Sequence, residues 1–536
     1  MEKALDMGKT SASGSFALLI GVAVSSLIMA VGTIILARLM TTDEYGLYGI
    51  ILIPPTMMNL FRDWGVNSAM TKYIATYRVT NNEEEIHDVI IAGLIFEIVA
   101  GLALSFLSLF LANFIASTIF NRPSSASLIA IISVSIISGS LFAASQSVFV
   151  GFERMRLNSF TLICQALVKT AIGPVLVFLG YGVLGGILGY TFGFVAAATI
   201  GLAIFYFLLF KPLRKPVNGK SNITKTLRTM LNYGVPLSIY SILSGILVQI
   251  YAFMMPSFAS DAMIGNYQTA ANFSILLTFI TIPITTVLFP TFSKLNPHTE
   301  HGLLKTIFTS SIKYTSILLV PAAMAIMALS GPMVGTLFGE KYVYGPFFLT
   351  LFVAGNLFVV FGNISAGSFL SGLGETRILM KQSILTLVIG LPLGIYLIPI
   401  FGIPGLLIAN LLSGLPSMVW VLYWIWKHYE TKADFNFSFK ILAASALSAV
   451  VSYLSLIFFS MPDWANLIIG LVIFFIVYLL SAPLIGAVNV ADISNLRTMF
   501  SGLGVIAKII NVPLKVAEKA AMVKSTRKKI REQSLK

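Results

Sequence analysis

A chain of 536 residues that is 57% hydrophobic and only 10% charged carries more apolar surface than one soluble core can hide. Its solvent is therefore largely lipid, which excludes a soluble enzyme or binding domain. The formal net charge of +14 raises nucleic acid as a partner, and the placement of the basic residues answers that question.

About 20 apolar residues cross a bilayer as one helix. The first half of the chain supplies six such runs, Ser13–Ala37, Tyr45–Phe61, Val89–Ser117, Ser124–Val150, Leu157–Leu179 and Gly182–Phe210. Eight more follow, at Met230–Pro256, Ala262–Phe292, Tyr314–Phe338, Tyr342–Gly374, Gln382–Ile400, Gly402–Trp426, Ile441–Met461 and Trp464–Val490. Barrel strands would alternate apolar and polar residues over segments about half as long. The expected fold is thus an all-α polytopic membrane protein with about fourteen spans. The first run carries no small-residue cleavage site and is read as a retained helix. Cys164 is the only cysteine, which excludes intramolecular disulfides and cysteine-rich metal sites.

Of the 35 Lys and Arg residues, 31 fall in the N-terminus, the alternate connections on its side and the C-terminal tail. The opposite side holds three, Arg38, Arg122 and Lys341, and Lys169 lies inside a span. This asymmetry places both termini in the cytoplasm. It also explains the positive charge without nucleic acid. The tail 491–536 ends in the basic run STRKKIR and reads either as an amphipathic segment on an anionic inner leaflet or as a solvated tail.

The stretch TTDEYGLYG at Thr41–Gly49 brings adjacent acids together and so raises a catalytic pair. It recurs about 219 residues later as SDAMIGNY, where Asp261, Gly265 and Tyr267 take the places of Asp43, Gly46 and Tyr48. Glu44 has no acidic counterpart there, which favours helix capping and a tight turn over catalysis. Gly182–Gly185 and Gly402–Gly405, and Glu153 and Glu375, repeat at nearly the same offset. Three matches in one order predict duplicated halves. The division is a six-helix bundle at 1–210, a basic cytoplasmic linker at 211–229, a second six-helix bundle at 230–427, two further helices within 428–490 and the tail 491–536. Six spans per half is an even number, so the two pseudo-symmetric bundles enter the membrane from the same face, as in alternating-access carriers. Pro54-Pro55 and Pro283 are expected to interrupt the second helix of each half.

The segments LARLMTTDEYGLYGIIL, GVNSAMTKYIA, GFERMR, NYGVPLSI and IGNYQTAANFSILLTFITIPITTVLFPTFSKL resemble the polysaccharide transporter family of the multidrug/oligosaccharidyl-lipid/polysaccharide flippase superfamily, the O-antigen or Wzx-type flippases and their archaeal relatives. The resemblance covers residues 10–485. It implies movement of a polyprenyl-(pyro)phosphate-linked oligosaccharide from the inner to the outer leaflet of the cell membrane, for cell-surface polysaccharide or glycoprotein biosynthesis. Partners would be the lipid-linked oligosaccharide, membrane lipids and, as candidates, glycosyltransferases of the same pathway. Alternatives are a lipid II flippase or small-molecule cation antiporter of the same superfamily, and a membrane glycan polymerase or ligase. The short outer connections disfavour the last.

Only Glu97 and Lys169 are charged well inside the spans. They sit about 8 and 12 residues from the inner ends, or roughly 12 and 18 Å deep at 1.5 Å per residue. A lysine there costs roughly 2.5–3.5 kcal/mol unless it faces a cavity or a partner. Lys169 is therefore either a contact for substrate phosphate or the partner of Glu97 in a structural ion pair. Gln165, one turn earlier on the same face, is a candidate for sugar hydroxyls. Glu97 is a candidate proton- or sodium-coupling site.

Arg38 could receive phosphate on the outer side or snorkel to head groups. Arg62 could guide phosphate at the inward mouth or form an interfacial salt bridge with Asp63. Asn59, Gln249, Gln268, Asn272, Asn356 and Asn363 are candidate sugar contacts, because buried amides need partners. Of the four histidines only His298 and His301 approach a ligand spacing, and without a nearby acid or cysteine they make a poor zinc site; no P-loop, Gly-x-Ser-x-Gly or Rossmann pattern precedes a suitable helix. Neither a cofactor nor an enzymatic reaction is expected.

Overall fold

The computed structural model describes residues 2–213, 222–297, 299–432, 435–458, 461–500 and 511–522. His298, much of the basic linker and the STRKKIR run lie outside them. The described chain is helical throughout and falls into two compact units, Met1–Gln268 with Leu391–Leu406, and Thr269–Gly390 with Leu407–Lys536.

The first unit contains α1 (Glu2–Leu39), α2 (Thr42–Ile51), α3 (Ile53–Arg62), α4 (Val66–Val79), α5 (Glu83–Phe114), α6 (Ala126–Ile132), α7 (Val134–Gly151), α8 (Met155–Leu176), α9 (Gly182–Phe205), α10 (Ile223–Phe258) and α11 (Asp261–Asn272), the last extending past its edge. The Tyr45–Phe61 run breaks at Leu52 into α2 and α3. Pro54 and Pro55 stand in the first turn of α3, where a missing N–H leaves no hydrogen bond unmade. Gly180 and Gly182, both at positive φ, turn α8 back into α9. These two helices run antiparallel, with Gly173 facing Gly189 and Lys169 facing Gly193. Helix α1 lies parallel to α8, since Ser159 Oγ donates to Ala17 O at 2.9 Å and Thr170 Oγ1 to Ile28 O at 3.2 Å.

The repeated turn motifs meet within this unit. Thr41 and Glu44 form a capping box at the start of α2, with Thr41 Oγ1 accepting from Glu44 N at 3.2 Å and Glu44 Oε2 accepting from Thr41 N at 2.8 Å. A side chain on Gly46 would strike the carbonyl of Asp261, and one on Gly265 would strike the carbonyl of Thr42. Those pairings are reciprocal at an offset of 219 in the numbering, as a local two-fold crossing of equivalent helices requires. Only glycine lets the two backbones approach so closely.

The second unit contains α12 (Ser274–Ser293), α13 (His301–Ala328), α14 (Ser330–Phe338), α15 (Gly345–Ala354), α16 (Asn363–Gly372), α17 (Thr376–Phe401), α18 (Ile403–Tyr429), α19 (Phe435–Phe458), α20 (Asp463–Ile485), α21 (Val490–Phe500) and α22 (residues 511–522). The turn joining α17 to α18 groups with the first unit, where Gly394 admits the ring of Tyr251. Phe292, Phe308 and Phe369 stack edge to face in the core of the second unit. Helix α12 continues through position 283, and the break falls at Phe273 instead. A membrane helix tolerates a proline when neighbouring groups satisfy the freed carbonyl.

Among the described residues, eleven helical stretches are long and apolar enough to span a membrane, and a bent pair, Gly345–Phe361 with Asn363–Gly372, makes twelve. One of the eleven, Met155–Phe210, is the α8–α9 hairpin and so supplies two passes. The broken α2–α3 segment accounts for the remaining run. The chain is a multi-pass helical membrane protein.

Candidate functional site

Glu97 lies on the buried face of α5, with its side chain wholly enclosed. Its carboxylate accepts two hydrogen bonds of 2.7 Å, from Asn67 Nδ2 on α4 to Oε1 and from Ser140 Oγ on α7 to Oε2. Arg62, the last residue of α3, supplies the opposite charge, with Nε 3.7 Å from Glu97 Oε2. Arg62 Nη1 also donates to Asn59 Oδ1 at 3.0 Å. Burial of an ion pair costs desolvation unless hydrogen bonds take up the remaining lone pairs. Here Asn67 and Ser140 take up those of the carboxylate, while Arg62 Nε is buried without a hydrogen bond of its own.

Lys169 stands on α8, where Gly193 of α9 admits its Cβ and the backbone of Gln165. Its Nζ lies 4.9 Å from the centroid of the Tyr190 ring, a cation–π contact worth about 0.5–2 kcal/mol. Tyr190 in turn meets Phe194 at 5.1 Å between centroids. Phe194 and Arg62 Nη1 both lie beside Gly139. Arg62 and Lys169 therefore stand at the two ends of one row of neighbours, Gly139, Phe194 and Tyr190, inside one unit. Among the described residues Lys169 makes no ion pair.

These contacts correct two expectations. Glu97 pairs with Arg62 and not with Lys169, because α4 and α7 enclose the carboxylate beside the end of α3 while Lys169 turns to α9. Arg62 does not bridge to Asp63 either. Asp63 Oδ1 instead accepts from Asn67 N at 3.1 Å, in the first turn of α4, where an acidic group complements the helix dipole.

Gln165 is buried one turn from Lys169. Gln249 Oε1 accepts from Thr56 Oγ1 at 3.4 Å, and the Gln268 amide packs over Gly49. Arg38 is exposed near the end of α1. Asn272, Asn356 and Asn363 lie at the end of α11, in the turn Gly355–Phe361 and at the start of α16. The structure brings Asn59, Arg62 and Glu97 together, Asn59 through a hydrogen bond to Arg62 and Glu97 through the ion pair. Asn67, Ser140, Tyr190 and Phe194 are the participants that sequence reasoning missed. Asn67 stood in view within GVNSAMTKYIA, but an uncharged residue gives no local signal of what it faces.

The sequence profile of the polysaccharide biosynthesis protein family matches residues 11–296. A probable low-salt glycan biosynthesis flippase of Haloferax volcanii is 25% identical over 193 residues, 35% of this chain and 40% of that protein. The chain thus aligns with less than half of that relative's length. An uncharacterized membrane protein of Methanocaldococcus jannaschii is 22% identical over 403 residues, 72% of this chain and 78% of that protein. Among solved structures, a lipid II flippase in an inward closed conformation superposes with a TM-score of 0.69 at 16% identity, covering 87% of this chain and 98% of its own. That identity speaks for the fold alone. The family match covers more than half of the chain, and the chain belongs to the polysaccharide biosynthesis protein family.

Proposed function

We propose that this protein is a flippase that moves a polyprenyl-(pyro)phosphate-linked oligosaccharide from the inner to the outer leaflet of the cell membrane, with both termini in the cytoplasm. The observation that carries this reading is the pair of cations Arg62 and Lys169 joined by Tyr190 and Phe194 within a membrane-embedded unit. A diphosphate that leaves water needs compensating cations. The likeness to the Haloferax glycan biosynthesis flippase supports the glycan branch of the superfamily. Alternating access of the two six-helix bundles remains part of the proposal, as does the participation of pathway glycosyltransferases.

In this mechanism Arg62, on the α3 side, and Lys169, on α8, receive the phosphate. Gln165 and Asn59 face sugar hydroxyls, and Tyr190 fixes the ammonium. Gln249, Gln268, Asn272, Asn356 and Arg38 are held as further contacts along the route. The test is leaflet translocation of a fluorescent polyprenyl-diphosphate sugar in proteoliposomes, comparing wild type with Lys169→Ala and Lys169→Arg. The alanine variant is expected to lose most of the flipping rate and the arginine variant to retain part of it. Wild-type proteoliposomes that leave the probe in its original leaflet would sink the proposal.

A further inference from the structure

Arg62 stands between two claims on its charge. One is Glu97, whose Oε2 lies 3.7 Å from Nε, too far for a hydrogen bond. The other is whatever anion meets the aromatic and basic surface formed by Lys169, Tyr190 and Phe194, beside which Nη1 already lies. The Glu97 carboxylate, in contrast, is firmly held by Asn67 and Ser140 at 2.7 Å each. Within this pair the acid is fixed and the cation is loosely engaged.

We infer that Arg62 is a shared cation, paired with Glu97 while the site is empty and yielded to the substrate phosphate on binding, whereupon a proton from the aqueous phase takes its place on Glu97. This rests on the proposed recognition of a lipid-linked diphosphate. The empty site carries one net positive charge, that of Lys169, and taking up a diphosphate diester together with one proton brings it to neutrality. Arg62 and Lys169 together neutralise the two negative charges of a diphosphate diester, so the loaded site is neutral only when Glu97 carries a proton. An unpaired carboxylate enclosed at that depth is otherwise strongly penalised. The incoming proton forms an O–H bond at Oε2, and Ser140 can receive it, because a hydroxyl that now donates to Glu97 can rotate and accept. When the phosphate leaves, Arg62 returns and the proton departs.

The groups around Glu97 suit this exchange. From α4 and α7 it meets the neutral side chains of Asn67 and Ser140. The charged groups facing it are Arg62 and Asp63, both at the end of α3. Asp63 is already engaged in the first turn of α4, so Arg62 is the one that can change partners. Glu97 thereby acts as a positioning residue for Arg62 and as the proton acceptor of the cycle.

The experiment is calorimetric titration of the purified full chain in lipid nanodiscs with farnesyl-diphospho-N-acetylglucosamine, a diphosphate diester, in buffers of different ionisation enthalpy, which counts protons taken up on binding. Wild type is expected to take up a proton that Glu97→Gln does not. Infrared difference spectra of the unaltered protein supply a second readout that depends on no variant. A new protonated-carboxyl band should appear when the diester is added. Binding with equal proton uptake in wild type and Glu97→Gln, or without a new carboxyl band, overturns the shared arginine and leaves phosphate recognition standing. Absence of any binding of the diester overturns the phosphate reading itself, and the shared arginine with it.

Discussion

Arg62 Nε lies 3.7 Å from Glu97 Oε2, and the carboxylate is entirely enclosed. Removing one member of such a pair leaves a charge without a partner. Glu97→Ala is expected to destabilise the protein by about 3 kcal/mol. Glu97→Gln should cost less, since its amide retains an acceptor for Asn67 or Ser140. The double variant Arg62→Leu/Glu97→Leu should be more stable than the sum of its single variants implies, because neither charge is then left behind. Thermal unfolding in detergent measures all of these. Additive losses would show that the two side chains do not interact.

The spans were legible because long apolar runs have few alternatives at this composition. That Glu97 and Lys169 lie inside helices, away from the ends of their runs, was also readable. Their partners were not. Spacing along a helix fixes depth but says nothing of which helices are neighbours, so two ionisable residues at comparable depth invited pairing. Arg62 was named as a guide for phosphate, but its pairing with Glu97 was hidden for a different reason. It sits at the end of a span on the basic side, where topology alone accounts for an arginine, and only the packing of α3 against α5 turns it inward. Asn67 and Ser140 carry no charge and gave no signal at all.

Gly46 and Gly265 bring α2 and α11 into backbone contact. A methyl group on Gly46 would strike the carbonyl of Asp261, and one on Gly265 the carbonyl of Thr42. Gly46→Ala and Gly265→Ala are therefore each expected to lower the unfolding temperature, and Gly46→Leu to lower it further. Thermal unfolding in detergent measures the three, and values equal to wild type would show that the crossing tolerates a side chain.

Arg122 binds Asp261 and at the same time donates to the backbone carbonyls of Pro256 at 2.7 Å and Ala259 at 3.0 Å. It thus caps the end of α10 as well as neutralising an acid. A guanidinium can do both through its planar fork, whereas an ammonium cannot reach all three groups at once. Arg122→Lys is expected to cost about 1–3 kcal/mol, despite conserving charge. The swap Arg122→Asp/Asp261→Arg should fail to restore stability, since it leaves the carbonyls without their donor. Unfolding temperatures of the two variants decide the matter, and a swap as stable as wild type would reduce the contact to a simple ion pair.

In the second unit Lys313 of α13 meets Asp492 of α21 at 2.7 Å, and its Nζ also lies 4.1 Å from the centroid of the Phe437 ring. Asp492 is itself part of a reciprocal cap, accepting from Asn489 N at 2.8 Å while its own N–H donates to Asn489 Oδ1 at 2.8 Å. Substituting Asp492 therefore removes a helix cap and an ion-pair partner together, whereas Lys313→Met removes only the charge and keeps much of the packing on Phe437. Asp492→Ala is expected to cost about 2 kcal/mol or more and Lys313→Met distinctly less. Limited proteolysis measures this locally, because α21 held by one contact fewer opens more often and is cut faster. Faster cutting near α21 in Asp492→Ala than in Lys313→Met supports the double role. Equal rates would mean that the cap contributes nothing beyond the ion pair.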